Sequence, residues 1–112
     1  MYRCARSIFV AFFLLMAAGC SSSSGQSTGA TCDSSLTYEN FGQGFMSANC
    51  TRCHDRDRPS LTTVESIRTN RNEIDRQAGS GPSATNTAMP QDKDISTADR
   101  KKLASWLACG AP

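Results

Sequence analysis

Cys50-Thr51-Arg52-Cys53-His54 is the stretch that decides how the rest of this chain is organised. Two thiols three positions apart can each form a thioether bond to a haem vinyl group, and the imidazole that follows them is then carried to the face of the iron. His54 is the single histidine among 112 residues. The pentapeptide therefore predicts one covalent c-type haem held by Cys50 and Cys53, with His54 as an iron ligand.

Two other uses of a Cys-x-x-Cys pair compete with this interpretation. A structural zinc site takes four ligands, usually from two such knuckles, but the chain has neither a second Cys-x-x-Cys nor a His-x-x-x-His. A thioredoxin-type redox pair follows a strand in a βαβ unit, whereas the residues before Cys50 do not form a β-branched run. The surroundings of the motif therefore favour haem over both alternatives.

Residues 1–19 have the layout of a bacterial export signal. Arg3 and Arg6 precede an uncharged apolar run over residues 8–18, which is shorter than the about 20 apolar residues of a spanning helix. The run leads to Ala-Ala-Gly-Cys20, which resembles a lipobox, where the cysteine becomes the lipidated first residue of the mature protein. We expect a lipoprotein signal peptide and a periplasmic haem domain anchored to a membrane; ordinary cleavage without lipid is the alternative.

Residues 20–31 are expected to be a lipid-anchored tether. The stretch 21–31 is rich in Ser, Gly and Thr and has no apolar periodicity, which is typical of a flexible linker with a mean span of about 17–20 Å. Ser21 is not the aspartate associated with inner-membrane retention, so the outer membrane is favoured. The folded domain is then predicted over residues 32–112.

The six cysteines divide according to these assignments. Cys4 lies in the signal segment, Cys20 takes the lipid, and two cysteines take the haem. Cys32 and Cys109 remain, and in an oxidising compartment they have only each other as partners. We expect a disulfide between them, worth ~4.5 kcal/mol in the chain-entropy model; two free buried thiols are the alternative.

Charge and composition exclude several functional classes. The signal segment carries two of the twelve basic residues, which leaves ten basic and ten acidic residues in 20–112. No basic stripe indicates a nucleic-acid partner. No Ser/His/Asp set, acid pair with a motif or phosphate loop is found in the sequence, so we expect a protein that is not an enzyme.

Helical periodicity appears in three segments, and no segment has the pattern of a strand. Residues 38–49 place Tyr38, Phe41, Phe45 and Ala48 on one face, and the two glycines of this segment, Gly42 and Gly44, suggest close packing against another element.

The other two helices have start and stop signals. A capping box over residues 62–65 starts the second helix, with Val64, Ile67, Arg71 and Ile74 at helical spacing, and residues 79–82 end it. A long loop over residues 83–94 contains Met89 and Pro90. Ser96 is the expected N-cap of the last helix, which has Leu103, Trp106 and Leu107 on one face and stops at Gly110.

In this order of parts the chain resembles a class I cytochrome c domain over nearly all of residues 32–112. The resemblance implies a small all-α domain of about three helices and long loops wrapped around one covalently bound haem. In that family the first and last helices cross near a right angle, which places Gly42 against Trp106 and gives the disulfide a structural reason. The resemblance makes His54 the proximal ligand, Met89 the distal ligand, and the carbonyl of Pro59 the acceptor for the His54 Nδ1–H.

The resemblance implies a one-electron carrier that exchanges electrons with redox protein partners. Met46 competes with Met89 for the distal position, but its short tether to Cys50 favours a role in the core. A Met89 that is only a loop residue would leave a five-coordinate iron and favour a haem sensor or gas-binding module. A third possibility is an exported lipoprotein without haem, in which Cys50 and Cys53 form a disulfide.

Overall fold

The computed structural model describes residues 25–112, so the signal segment, Cys20 and residues 21–24 lie outside the described residues. Within 25–112 there is no β-strand, only an isolated bridge between Ser80 and Thr85, and the expected all-α class is confirmed for this part. The elements are a π-helical turn (Tyr38–Gly42), α1 (Gln43–Asn49), α2 (Thr51–His54), α3 (Val64–Ala78) and α4 (Thr97–Ala108).

The first predicted helix is present over its whole length, but its first turn is π-helical. Thr37 caps it: its hydroxyl accepts from the Asn40 amide at 3.2 Å, and the Asn40 side chain accepts from the Thr37 amide at 2.8 Å. The wider π turn changes the side-chain register, so a face drawn at 3.6 residues per turn does not continue through it. The prediction for Ala48 was wrong: this side chain is exposed although Phe45, three positions before it in α1, is buried. Met46 is buried, as its expected role in the core requires.

The haem motif begins where the first helix ends, in agreement with the helix predicted over residues 38–49. α1 ends at Asn49, and Cys50 leaves helical geometry with φ −122°. Residues Thr51–His54 then form the separate four-residue helix α2. The structure thus has one short helix more than the three that the periodicity indicated.

α3 begins one residue later than the predicted capping box would start it. Thr63 is the N-cap, and its hydroxyl accepts from the Ser66 amide at 3.2 Å, so the box over residues 62–65 was out of register by one position. Ile67 and Ile74 are buried, whereas Arg71, which was expected at the same helical spacing, is exposed. The helix stops before Gly79, as expected.

α4 follows its sequence prediction closely. The Ser96 hydroxyl accepts from the Asp99 amide at 3.0 Å, and Gly110 ends the helix with φ +88°, a conformation that favours glycine. The expected face is buried: Leu103, Trp106 and Leu107 belong to the core. Between residues 25 and 112 no helix combines the length and the apolar character needed to cross a bilayer.

Gly42 and Trp106 bring the first and last helices together. The Trp106 ring lies so close to Gly42 that a Cβ at this position would overlap ring carbons, and the ring also packs edge-on against Phe41 with centroids 5.9 Å apart. Gly44, in contrast, has open space around it. A disulfide joins Cys32 to Cys109, with Cα atoms 4.7 Å apart, and ties the chain before the first helix to the end of α4. Both predictions, the glycine–tryptophan contact and the cysteine pairing, are confirmed.

The tether predicted over residues 20–31 is not free along its described part. The Gly25 amide donates to the Arg76 carbonyl at 2.9 Å, and the amide and hydroxyl of Thr28 donate to the Asp75 carboxylate at 2.9 and 2.7 Å. Thr28 is 1% exposed. The packed part of the chain thus begins near Gly25 rather than at Cys32, because a short polar segment finds acceptors at the end of α3.

Candidate haem-binding site

Cys50 is the residue directly before α2, and Cys53 is the third of the four residues of this helix. The Cys50 carbonyl accepts from the amides of Cys53 at 3.3 Å and His54 at 3.0 Å, so one helical turn fixes the spacing of the motif. Cys50 is half-buried and Cys53 is exposed, and both thiols are free. The disulfide that an exported protein without haem would form between them is thus not present in the structure.

Cys50 has an unusual environment for a thiol. Its side chain packs against the hydrophobic core, and burial raises its pKa from an ordinary value of 9.0 to about 11, partly offset by the positive charge of Lys93. A raised pKa keeps the thiol protonated at neutral pH, so Cys50 is a poor nucleophile in this fold.

His54 is oriented by a hydrogen bond from its ring. The Nδ1 atom lies 2.9 Å from the Pro59 carbonyl oxygen, and because a carbonyl can only accept, Nδ1 carries the hydrogen. The backbone carbonyl of His54 accepts from the Leu61 amide at 2.8 Å, which closes the short loop between them. The other ring nitrogen, Nε2, is left with its lone pair available to a metal.

Met89 and Met46 occupy different environments. Met46 lies on α1 at 2% exposure, among the side chains of the core. Met89 is half-buried and packs against the edge of that core, while its amide donates to the Gln77 carbonyl at 2.9 Å. Of the two, Met89 has the thioether at the margin of the fold, where a ligand could approach it.

The loop that carries Met89 (residues 83–94, the Met89 loop) is joined to the haem motif. Arg52 in α2 forms an ion pair with Asp92 at 2.8 Å, and Lys93 donates to the Ala48 carbonyl at 3.3 Å. Lys93 is also the charge that acts on Cys50. These contacts place the segment just after Met89 beside the segment that carries the cysteines and His54.

The residues present fit a c-type haem. Such a group takes two free thiols, an imidazole with one free nitrogen, a second axial ligand and apolar surroundings. Residues 50–54 provide the two thiols and the imidazole, and Met89 is available from the neighbouring loop as the second iron ligand. Several apolar side chains pack on the core while remaining partly exposed, and Cys50 and Met89 are among them: Leu36, Tyr38, Phe41, Cys50, Met89 and Ile95.

Other candidate sites in the described residues are less specific. Two cavities of about 110 and 340 Å³ both include Ala30 and border α4, and neither is lined by the haem motif or by Met89. Among residues 25–112 no three His, Cys, Asp or Glu side chains cluster closely enough to hold a metal ion. A histidine–methionine iron site needs no such cluster.

No protein-family model matches this chain, and neither a curated protein nor a solved structure shows significant similarity to it.

Sequence reasoning missed Arg100 and the contacts of residues 25–30. Arg100 is 2% exposed and binds the Met89 carbonyl. A signal for its burial exists, since Arg100 precedes Leu103 and Leu107 by three and seven positions and so falls on the apolar face of α4. The serine-rich composition around Thr28 contains no comparable signal of docking.

Proposed function

We propose that this protein is a one-electron carrier with a single covalent c-type haem and His/Met axial ligation, in a domain of class I cytochrome c type. One observation carries the proposal: the only imidazole of the chain follows two free thiols and has its Nδ1 bound to the Pro59 carbonyl, which leaves Nε2 for iron. The hydrogen bond fixes the ring plane and increases the basicity of the ligand.

The bound haem would supply the Fe(III)/Fe(II) couple. Cys50 and Cys53 would hold the group covalently and His54 and Met89 would be its iron ligands, so no position would be left open for a substrate. A methionine ligand gives a higher reduction potential than a second histidine. Ligands that stay in place in both oxidation states reduce the structural change that accompanies electron transfer, which suits a carrier rather than an enzyme.

The cellular setting is part of the same proposal. Haem attachment to Cys-x-x-Cys-His takes place outside the bacterial cytoplasm, in agreement with the export signal over residues 1–19. Lipidation at Cys20 would tether the domain to a membrane, with the outer membrane favoured, and redox proteins would be its partners. Residues 25–30 dock on the domain and so do not belong to the tether, which would hold the domain closer to the membrane than the full span of residues 20–31 implied.

An optical spectrum of protein matured in a periplasm tests this proposal. The wild type should keep its haem after denaturation and extraction with acidic acetone, and the oxidised form should show the weak long-wavelength band of a methionine–iron(III) bond. Met89→Ala should abolish that band and let the ferrous protein bind carbon monoxide. Met46→Leu, a volume-conserving change in the core, should leave the band intact.

Two outcomes would replace the proposal. A wild-type protein that is high-spin at rest and binds carbon monoxide rapidly has an open iron face, which is the behaviour of a sensor or gas-binding module. Haem that dissolves in acidic acetone, or none at all, removes the covalent site and leaves an exported lipoprotein of another kind.

A further inference from the structure

Arg100 is a charged side chain enclosed by the fold. It lies near the start of α4 and is 2% exposed, next in volume after Trp106 among the fully buried side chains of residues 25–112. Burying an unpaired charge costs several kcal/mol, so a buried guanidinium needs partners that satisfy its donors. Those partners indicate what Arg100 does in this protein.

The partners are backbone carbonyls that the guanidinium draws together. Its Nη1 atom lies 3.1 Å from the Ala78 oxygen, 2.9 Å from that of Asn86 and 2.7 Å from that of Met89. Ala78 ends α3, and the other two belong to the Met89 loop. The only carboxylate near it, Asp94, is exposed and 3.5 Å from Nη2, so it contributes little.

The backbone of Met89 is therefore held on both sides. Its amide donates to the Gln77 carbonyl at 2.9 Å, and its carbonyl accepts from Arg100. Asn86 extends the arrangement, since its side-chain amide donates to the carbonyls of Gln26 at 2.7 Å and Asp75 at 2.9 Å. A loop without regular secondary structure is thus fixed at the residue whose thioether is the proposed ligand.

We propose that Arg100 is a positioning residue for the distal ligand: its guanidinium fixes the Met89 backbone so that the thioether stays on the iron. The inference rests on the proposed function and adds a residue to it. All three carbonyls meet at Nη1, which belongs to a rigid planar group, whereas a lysine ammonium is carried on a flexible stem and would be held in place less firmly.

The charge of Arg100 has a second consequence. Oxidation adds one positive charge at the iron, and a fixed cation buried next to a ligand's backbone disfavours that state. Arg100 therefore raises the reduction potential as well as holding Met89. The two effects separate in Arg100→Lys, which keeps the charge and loses the planar fork.

The experiment uses the holoprotein of the wild type, Arg100→Met, Arg100→Lys and Lys102→Met. It measures the affinity of the oxidised form for imidazole and the reduction potential of each protein. Imidazole has to displace Met89, so its affinity reports how firmly the methionine is held. Hydrogen bonds from a charged donor stabilise enough that Arg100→Met should bind imidazole about 10- to 100-fold more tightly and have a lower potential. Arg100→Lys should also bind imidazole more tightly, with most of the potential retained.

Lys102→Met is the matched control, because Lys102 is exposed on the same helix and the change removes the same charge. It should match the wild type in both measurements. An unchanged imidazole affinity in both Arg100 variants, or an equal change in Lys102→Met, overturns the inference.

Hydrogen exchange of the same proteins tests this contact by a measurement that does not depend on the iron. In Arg100→Lys the Met89 amide should exchange at least about tenfold faster, while the Ile67 amide, inside α3, should keep its protection. This measurement also decides the case if Arg100→Met does not fold, and equal exchange at Met89 in the variant and the wild type overturns the inference. A wild type without covalent haem would defeat the proposed function, and the exchange result would still report on the backbone contact itself.

Discussion

Cys50 and Cys53 are three residues apart and have different chemistry in the folded chain. Cys53 is exposed, whereas Cys50 packs on the core. Because the pKa of Cys50 is raised from 9.0 to about 11, its thiolate is about 100-fold scarcer than that of an ordinary cysteine at neutral pH.

This difference predicts the order in which the two thiols are alkylated in folded protein produced without haem. At pH 8, iodoacetamide should modify Cys53 well before Cys50, because the thiolate is the reacting form. Lys93→Met should slow Cys50 further, since Lys93 lowers the pKa of this thiol. Peptide mapping by mass spectrometry over a time course measures both rates. In urea the two rates should converge, and equal rates in the folded protein would contradict the environment described for Cys50.

Single residues were predicted from sequence where the chemistry is local. His54, its carbonyl acceptor Pro59 and the cap at Ser96 depend on neighbours in the chain, and the structure contains both the Nδ1 hydrogen bond and the cap as expected. Arg100 and Thr28 were missed because their partners are far away in sequence: Arg100 binds Ala78, and Thr28 binds Asp75. Composition gives no information on such pairings.

Among the helices, periodicity predicted existence better than register. α4 has caps at both ends and matched in detail, whereas the first helix begins with a π-helical turn and leaves Ala48, which was expected on its buried face, exposed. A π turn changes which side chains share a face, and no residue pattern in 38–42 predicts such a turn. The contact of Gly42 with Trp106 was still correct, because it depends on one residue in each helix.

That contact can be tested with a pair of identical substitutions. Gly42→Ala should lower the free energy of unfolding by about 1–3 kcal/mol, since its Cβ would overlap the Trp106 ring. Gly44→Ala lies in the same helical segment with open space around it, and should raise the free energy of unfolding by about 0.5–1 kcal/mol through helix propensity. Urea unfolding followed by tryptophan fluorescence measures both changes. The same sign for the two variants would show that Gly42 and Trp106 do not pack as described.

At the scale of the whole molecule, three connections between distant parts hold a small helical domain together. The disulfide from Cys32 to Cys109 joins the chain before the first helix to the end of α4. Arg100 joins α4 to the Met89 loop, and Asp75 joins the N-terminal segment to α3. A domain of this size buries a limited core, so such connections contribute a large share of its stability.

The N-terminal connection predicts where the stable domain begins. A chain starting at Gly25 should unfold at the same urea concentration as the longer mature protein, while a chain starting at Cys32 should lose roughly 2–4 kcal/mol. The loss follows from removing two hydrogen bonds to the Asp75 carboxylate together with the buried Thr28 side chain. Thr28→Val, which keeps the backbone and removes only the hydroxyl, should lose about 1 kcal/mol.

Thr28→Ser is the matched control, because it retains the donor to Asp75 and should fall between Thr28→Val and the wild type. Limited proteolysis provides a second measurement: residues 25–31 should resist cleavage in the intact protein. If the chain starting at Cys32 is as stable as the one starting at Gly25, the docked segment contributes nothing. The residues from 20 to 31 would then act as one flexible tether, and the domain would turn freely about it at the membrane.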